Sequence, residues 1–243
     1  MTANPDAAKA FYDSVVGWNI EGQPRGEMDY RMITVGGDNV GGVLRLSADM
    51  IANGAKSTWL GYIGVDDVDA SVAATVAAGG KVHMPANDIP GVGRIAMVSD
   101  PQGAPFYLMR GAVDAVSTAF SEKAIGHVAW NELVTSDSKA ALDFYTGTFN
   151  WSLPEPMDMG PMGYYHFIAS GDVTIGAVCG PMPDMGPPKW NYYFRVPSID
   201  AAVERINAGG GSVSLGPHEV PGGEYVIIGN DPEGTTFCLV GGK

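Results

Sequence analysis

Cysteine is scarce in this chain: Cys179 and Cys238 are the only two in 243 residues. Two thiols make no spaced framework, so a disulfide scaffold and a cysteine-rich metal site are both excluded, and a reducing cytoplasm is the expected setting. Basic residues are also few, 14 Lys and Arg against 27 Asp and Glu, for a formal net charge of −13. Binding to a nucleic-acid backbone needs clustered Lys and Arg, so that class of partner is excluded. The acidity suits a cationic ligand, although solubility is its ordinary consequence. No apolar run reaches the ~20 residues of a membrane span, and the N-terminus shows no basic-then-apolar leader, so no membrane partner is expected. HExxH, GxSxG, GxxxxGK[ST] and paired CxxC motifs are all missing, which removes the commonest metal, nucleophile and phosphate chemistries. The four histidines, His83, His127, His166 and His218, lie scattered without ligand spacing.

What is present is a repeat. "AKAFYDSVVGW" (8–18) and "AALDFYTGTFNW" (140–151) each carry Phe-Tyr with a Trp six residues after the Tyr. Residues 59–109 lie on 190–240 at a constant offset of 131, with Trp59 on Trp190, Tyr62 on Tyr193 and Asp69 on Asp200. "DPQGAPFYLM" (100–109) meets "DPEGTTFCLV" (231–240), and upstream the offset drifts to 133 and 134. Fixed register inside elements with drift in loops marks a tandem duplication.

Each copy has a shorter rhythm. Alternating apolar stretches predict strands at 127–134, 164–170, 173–178 and 225–229. Helices are predicted near 138–148 and 199–208, capped by Asp137-Ser138 and Ser198, with "GGG" at 209–211 ending the second. Strand, helix and about three strands therefore recur four times. "VGGDN" (35–39) and "SGD" (170–172) predict hairpins, and "PGVGR" (90–94) a turn.

This quadruple βαβββ plan, with "DFYTGTFNW" and the closing "DPxGxxFxL" strand, resembles the vicinal oxygen chelate superfamily of glyoxalases, bleomycin resistance proteins and extradiol dioxygenases. The resemblance implies an α+β fold of paired βαβββ modules forming curved mixed sheets with helices outside. The expected domains are 1–112 and 124–243, with a linker at 113–123. Counting back by 133 from the strand at 126–134 falls before Met1, so the first module lacks its opening strand. The bare sheet edge this leaves should pair with the linker or, in a homodimer, with a second chain.

The resemblance also implies a divalent metal held by His, Gln and Glu at fixed strand positions. Carried over one at a time, those positions hold Trp130, Asn191 and Leu60 early in the modules, and Tyr107 and Cys238 late in them. Such residues do not complete a site, so no metal and no other cofactor is expected. Strand alternation then supplies a lining: Trp130, Glu132 and Val134 share one face, as do Asn191, Tyr193 and Arg195. Ligand-binding residues are expected among Trp130, Glu132, Asn191, Tyr193, Arg195, Cys238, Tyr62 and Tyr107. Glu132 is either a functional carboxylate or the ion-pair partner of Arg195. Two functions remain: binding an apolar or cationic small molecule without metal, as the bleomycin resistance branch implies, or metal-free acid–base catalysis with Glu132 as base and Tyr193 or His166 as acid. A metal-dependent lyase or dioxygenase needs a strand register shifted by one residue. The Met-rich loops at 155–163 and 180–188 point to the second copy as the site of any pocket.

Overall fold

The computed structural model describes residues 1–24, 28–181 and 186–243. The first module consists of α1 (Pro5–Val15), β1 (Asn19–Ile20), β2 (Tyr30–Val35) and β3 (Asp38–Leu44), followed by a short α2 (Ala48–Ala52). The second has β4 (Tyr62–Gly64), α3 (Val68–Ala77), β5 (Lys81–Ile89), β6 (Gly93–Ser99) and β7 (Pro105–Gly111). The third has β8 (Val128–Val134), α4 (Ser138–Phe149), β9 (Met157–Asp158), β10 (Tyr164–Ser170) and β11 (Val173–Cys179). The fourth has β12 (Lys189–Val196), α5 (Ile199–Ala208), β13 (Ser212–Val220), β14 (Glu224–Asn230) and β15 (Thr236–Gly241). In the last three modules the opening strand lies parallel beside the closing one, giving the orders β4-β7-β6-β5, β8-β11-β10-β9 and β12-β15-β14-β13. This is the α+β plan of repeated βαβββ modules.

Local chemistry starts the helices where the sequence places them. Asp137 accepts from the Ala140 N–H at the start of α4, and Ser198 from the Ala201 N–H at the start of α5, satisfying donors that have no intrahelical partner. Gly209 caps the end of α5, and Gly210 takes a φ of 82° that favours glycine.

The first module begins at its helix, with β1-β2-β3 as its sheet. Thr2 forms an isolated parallel bridge with Arg45, donating its N–H to the Leu44 carbonyl at 3.0 Å. Thr135, its counterpart after β8, donates in the same way to Cys179 at 3.0 Å. The linker does not pair as the bare-edge argument expects: its bridge runs from Phe120 to Val128 of β8. There the β8 backbone offers the donors and acceptors that the linker needs, through Ser121 N–H to Val128 O and Val128 N–H to Ala119 O.

By packing, the chain divides into two compact units. Unit 1 is Met1–Trp59, Ser117–Trp130 and Tyr192–Lys243, and unit 2 is Leu60–Val116 and Asn131–Asn191. Each unit therefore takes one module from either half of the sequence. In unit 1, Phe11, Tyr12, Val15 and Trp18 are buried with Phe194, Ile199, Phe237 and Leu239. The Tyr12 hydroxyl donates to Asp231 at 3.1 Å, while Asp231 also accepts the N–H groups of Glu233 and Thr235 in its own turn. In unit 2 the arrangement recurs with the halves exchanged. The Tyr145 hydroxyl donates to Asp100 at 3.2 Å, and Asp100 accepts the Ala104 N–H at 2.8 Å. The Trp190 indole donates to the Tyr145 oxygen at 2.9 Å, and Trp151 stacks on the Tyr145 ring with centroids 5.3 Å apart. The repeated Phe-Tyr phrase is thus a brace that ties the helix of one half to the Asp-Pro turn of the other.

Candidate functional site

The third module positions Glu132 through strand register. Glu132 on β8 stands opposite Ala177 on β11, which stands opposite Phe167 on β10. Paired residues share a face, so Glu132, Ala177, Phe167 and, two residues earlier, Tyr165 point the same way. The alternate residues Leu133, Val178 and Ile168 are fully buried on the other face. Glu132 itself is half-buried. The Tyr165 hydroxyl donates to its Oε2 at 2.9 Å, and the Asn191 amide donates to its Oε1 at 3.2 Å. The Asn131 side chain bonds the Ile175 carbonyl at 2.6 Å and ties β8 to β11. Close approach of those strands depends on Gly176, where a Cβ would lie 1.9 Å from the Asn131 carbonyl oxygen. Burial, followed by the Glu132 charge, pushes the nearby Cys179 thiol well above its ordinary pKa.

His166 does not join this group. It pairs with Val178 and so stands on the face opposite Glu132; the residue of "YYHFI" that reaches the carboxylate is Tyr165. Strand parity separates these two residues, and the register of β10 with β11 and of β11 with β8 decides which of them faces Glu132. His83 and His127 are engaged by Ser99 Oγ at 2.9 Å and the Thr118 carbonyl at 2.6 Å.

In unit 1, Tyr193 on β12 pairs with Cys238 on β15, and both are buried in a cluster against which Trp130 packs. Arg195 ion-pairs with Glu224, and its Nε donates to the Glu122 carbonyl. The partner that alternation offered for Arg195 was Glu132. The guanidinium takes Glu224 because β14, two strands away across β15, brings that acid to the same end of the sheet. Arg195 in turn holds the Glu224 carboxyl below the usual range. In unit 2, Tyr62 and Tyr107 are paired across β4 and β7, their rings stacked 4.7 Å apart at 13°. Of the two Met-rich loops, Met157 lies on β9 opposite Tyr165, and residues 182–185 lie outside the described residues.

The model of the Glyoxalase/Bleomycin resistance protein/Dioxygenase superfamily matches residues 1–108 and again 124–239. The chain belongs to this superfamily. It is 33% identical over 243 residues to the Mycobacterium tuberculosis protein named "Putative glyoxylase CFP32", covering 99% of this chain and 91% of that one. It is 32% identical to the anthracycline biosynthesis protein DnrV of Streptomyces peucetius, covering 98% and 90%. Among solved structures, the Mn(II)-bound glyoxalase from Novosphingobium aromaticivorans has a TM-score of 0.64 at 19% identity, covering 99% of this chain and 79% of that one. The 2,2',3-trihydroxybiphenyl 1,2-dioxygenase of Sphingomonas wittichii has a TM-score of 0.63 at 14% identity, covering 98% and 85%. These two likenesses speak to fold.

Superfamily members that use a divalent metal need several oxygen, nitrogen or thiolate donors converging on one point. The positions that the resemblance assigns to those donors carry Trp130 and Cys238 in unit 1, and Leu60, Tyr107 and Asn191 in unit 2. Two of these, Trp130 and Leu60, have no donor for a cation, and the Cys238 thiol is buried in an apolar cluster. Among the described residues, no three of His, Cys, Asp and Glu gather where they could hold a metal ion. The residues present do not fit the group. Likewise, no helix among the described residues is long and apolar enough to cross a membrane.

Proposed function

We propose that this protein binds a small organic molecule at Glu132 without a metal. The observation that carries the reading is the Glu132 carboxylate, half-buried on a sheet face and held by Tyr165 at 2.9 Å and Asn191 at 3.2 Å. Tyr165 and Asn191 fix the orientation of both carboxylate oxygens, and the half-buried Phe167 on the same face offers the ligand body an apolar surface. The ligand is therefore apolar with a cationic or proton-donating group. A relative named for anthracycline biosynthesis accords with an aromatic organic ligand. The proposal includes a cytoplasmic location, in keeping with the buried thiols Cys179 and Cys238, and a homodimer; fractionation and light scattering test these two parts.

The test is calorimetric titration with hydrophobic amines and their uncharged analogues. The amine should bind at least about tenfold more tightly, and Glu132→Gln should erase that difference, a factor equal to ~1.4 kcal/mol. Equal affinities before and after the substitution would refute the reading. Elemental analysis of the purified protein should give less than about 0.1 equivalent of Zn, Ni, Fe or Mn; stoichiometric metal whose removal abolishes binding would overturn metal independence.

One contact favours a second reading as an enzyme. The Tyr165 hydroxyl lies on Glu132, placing a weak acid beside a base within proton-transfer distance. In that case Glu132 takes a proton from a carbon acid, and Tyr165 supplies one to the developing oxyanion. Glu132→Gln then stops turnover while substrate still binds.

A further inference from the structure

The helix-covered face of the second module carries a row of charge that its counterpart lacks. Asp88 pairs with Arg94 and Arg94 with Arg110, so the row crosses β5, β6 and β7 on one face. Ala96, Val98, Phe106 and Leu108 continue that face and are buried where α3 packs on these strands, whereas Tyr107 stands on the other face. Asp69, in the first turn of α3, reaches Arg94, so the row lies at the end of the sheet where the helix begins. A cavity of about 320 Å³ opens there, lined by Arg94 and Arg110 with Ile89, Gly93, Gly111 and Ala112. The two arginines are held differently. Arg94 donates to both oxygens of Asp69 at 2.7 and 2.9 Å and to Asp88 at 3.0 Å. Arg110 makes one hydrogen bond, to Asp114 at 3.3 Å, and lies 3.7 Å from Asp66, and both of these carboxyls are almost wholly exposed. In the fourth module the same row reads Glu219, Tyr225 and Gly241, so the fold does not require a pair of arginines here.

We propose that this cavity binds a small organic monocarboxylate, its charged group on Arg110 and its apolar body against Ile89 and Ala112. Like charges directly opposite one another destabilise an antiparallel pair unless counter-charges offset them. Asp69 and Asp88 do so for Arg94, and their bonds fix that guanidinium in place. Arg110 keeps a planar fork of donors of which Asp114 takes one, and a ligand carboxylate accepts two in parallel. Asp114, once displaced, returns to the water it already faces, and an exposed pair of this kind contributes little to stability. Gly93 and Gly111 put no side chain into the cavity, which leaves room for the ligand body beside the half-buried Ile89. The charge count selects a monoanion: a second negative group would meet the Asp88 carboxylate, with Arg94 already engaged. The volume lies at the lower end of the range for small-molecule sites.

The experiment titrates full-length protein at pH 7 into 2-naphthoate, a fluorescent monocarboxylate, and follows anisotropy, with 2-naphthamide as the uncharged probe of the same shape. Wild-type protein should bind one equivalent of the carboxylate saturably, at least about tenfold more tightly than the amide. Arg110→Gln should erase that preference with an unchanged melting temperature. Asp114→Asn should tighten carboxylate binding by about threefold, because it removes the internal competitor for the guanidinium. Glu132→Gln separates this cavity from the Glu132 face: carboxylate affinity within about threefold of wild type supports the proposal. The absence of saturable binding, equal affinity for the amide, undiminished affinity in Arg110→Gln, no tightening in Asp114→Asn, or a larger change in Glu132→Gln would each overturn it. Failure of the amine titration at Glu132 leaves these outcomes unaffected, so the two proposals stand or fall apart.

Discussion

Arg195 holds the Glu224 carboxyl below its ordinary value of 4.5, chiefly through the hydrogen bonds of the pair. A carboxylate whose folded pKa is depressed stabilises the fold fully above its unfolded value, and loses that contribution as pH falls through the folded one. Glu224→Gln should therefore flatten the decline in melting temperature below about pH 4.5. At pH 7 it should cost no more than about 1 kcal/mol, since the Glu224 side chain is more than one-third exposed. A decline as steep as that of the wild type would show that the pair contributes nothing. Asp29 shifts in the same direction through Arg31 and Arg45 and supplies the residual slope. Asp100 has the opposite sign: burial raises its pKa, so its share of stability is present at low pH and is lost as the carboxyl ionises. Ionised Asp100 leans on Tyr145, whose hydroxyl also accepts from Trp190. Tyr145→Phe deprives two buried groups at once and should lower unfolding free energy by about 1–3 kcal/mol, measured by urea denaturation at pH 7. A loss within error of zero would show that water replaces the hydroxyl.

At the scale of elements, β8 and β11 approach closely because position 176 has no side chain. The Asn131 carbonyl is backbone and cannot swing away from an added methyl, so Gly176→Ala must part the strands beside Glu132. We expect a loss of about 1–3 kcal/mol in stability together with weaker ligand binding; a variant as stable as wild type would mean the sheet absorbs the methyl. Elements were the part of this fold most legible in the sequence. Caps at Asp137 and Ser198 and alternation through "YYHFIAS" are local signals, and the helices and strands stand where they point. Partnerships across strands were less legible. Alternation says that Tyr165 and His166 face opposite ways without saying which faces Glu132, and the register with β11 decides it. Methionine density behaves similarly: Met84, Met97 and Met109 are far apart in sequence and become neighbours through pairing between β5, β6 and β7. For Arg195, the competing acid Glu224 lies beyond any local pattern.

At the scale of the molecule, two divisions of the chain coexist. The repeat and the superfamily model follow the halves, 1–108 and 124–239. Packing follows units that each combine a module from either half. Tyr12 with Asp231 and Tyr145 with Asp100 are buried hydrogen bonds that close only when both halves are present. An isolated half keeps its β-sheet pairings but leaves α1 or α4 without the core that buries Phe11 and Tyr12, or Phe144 and Tyr145. Fully burying one large apolar side chain stabilises a fold by about 1.5–3 kcal/mol, so two such exposures in each half remove about 3–6 kcal/mol, comparable to the margin of a small domain. Residues 1–112 and 124–243, produced separately, should each show broad, weakly cooperative unfolding and bind 8-anilinonaphthalene sulfonate. Mixed or co-expressed, they should form a 1:1 complex by size-exclusion chromatography with light scattering, and cooperative melting should return. Sharp, independent melting of either half near the temperature of the whole chain would show that the sequence halves are self-sufficient domains and that the tyrosine braces are accessories.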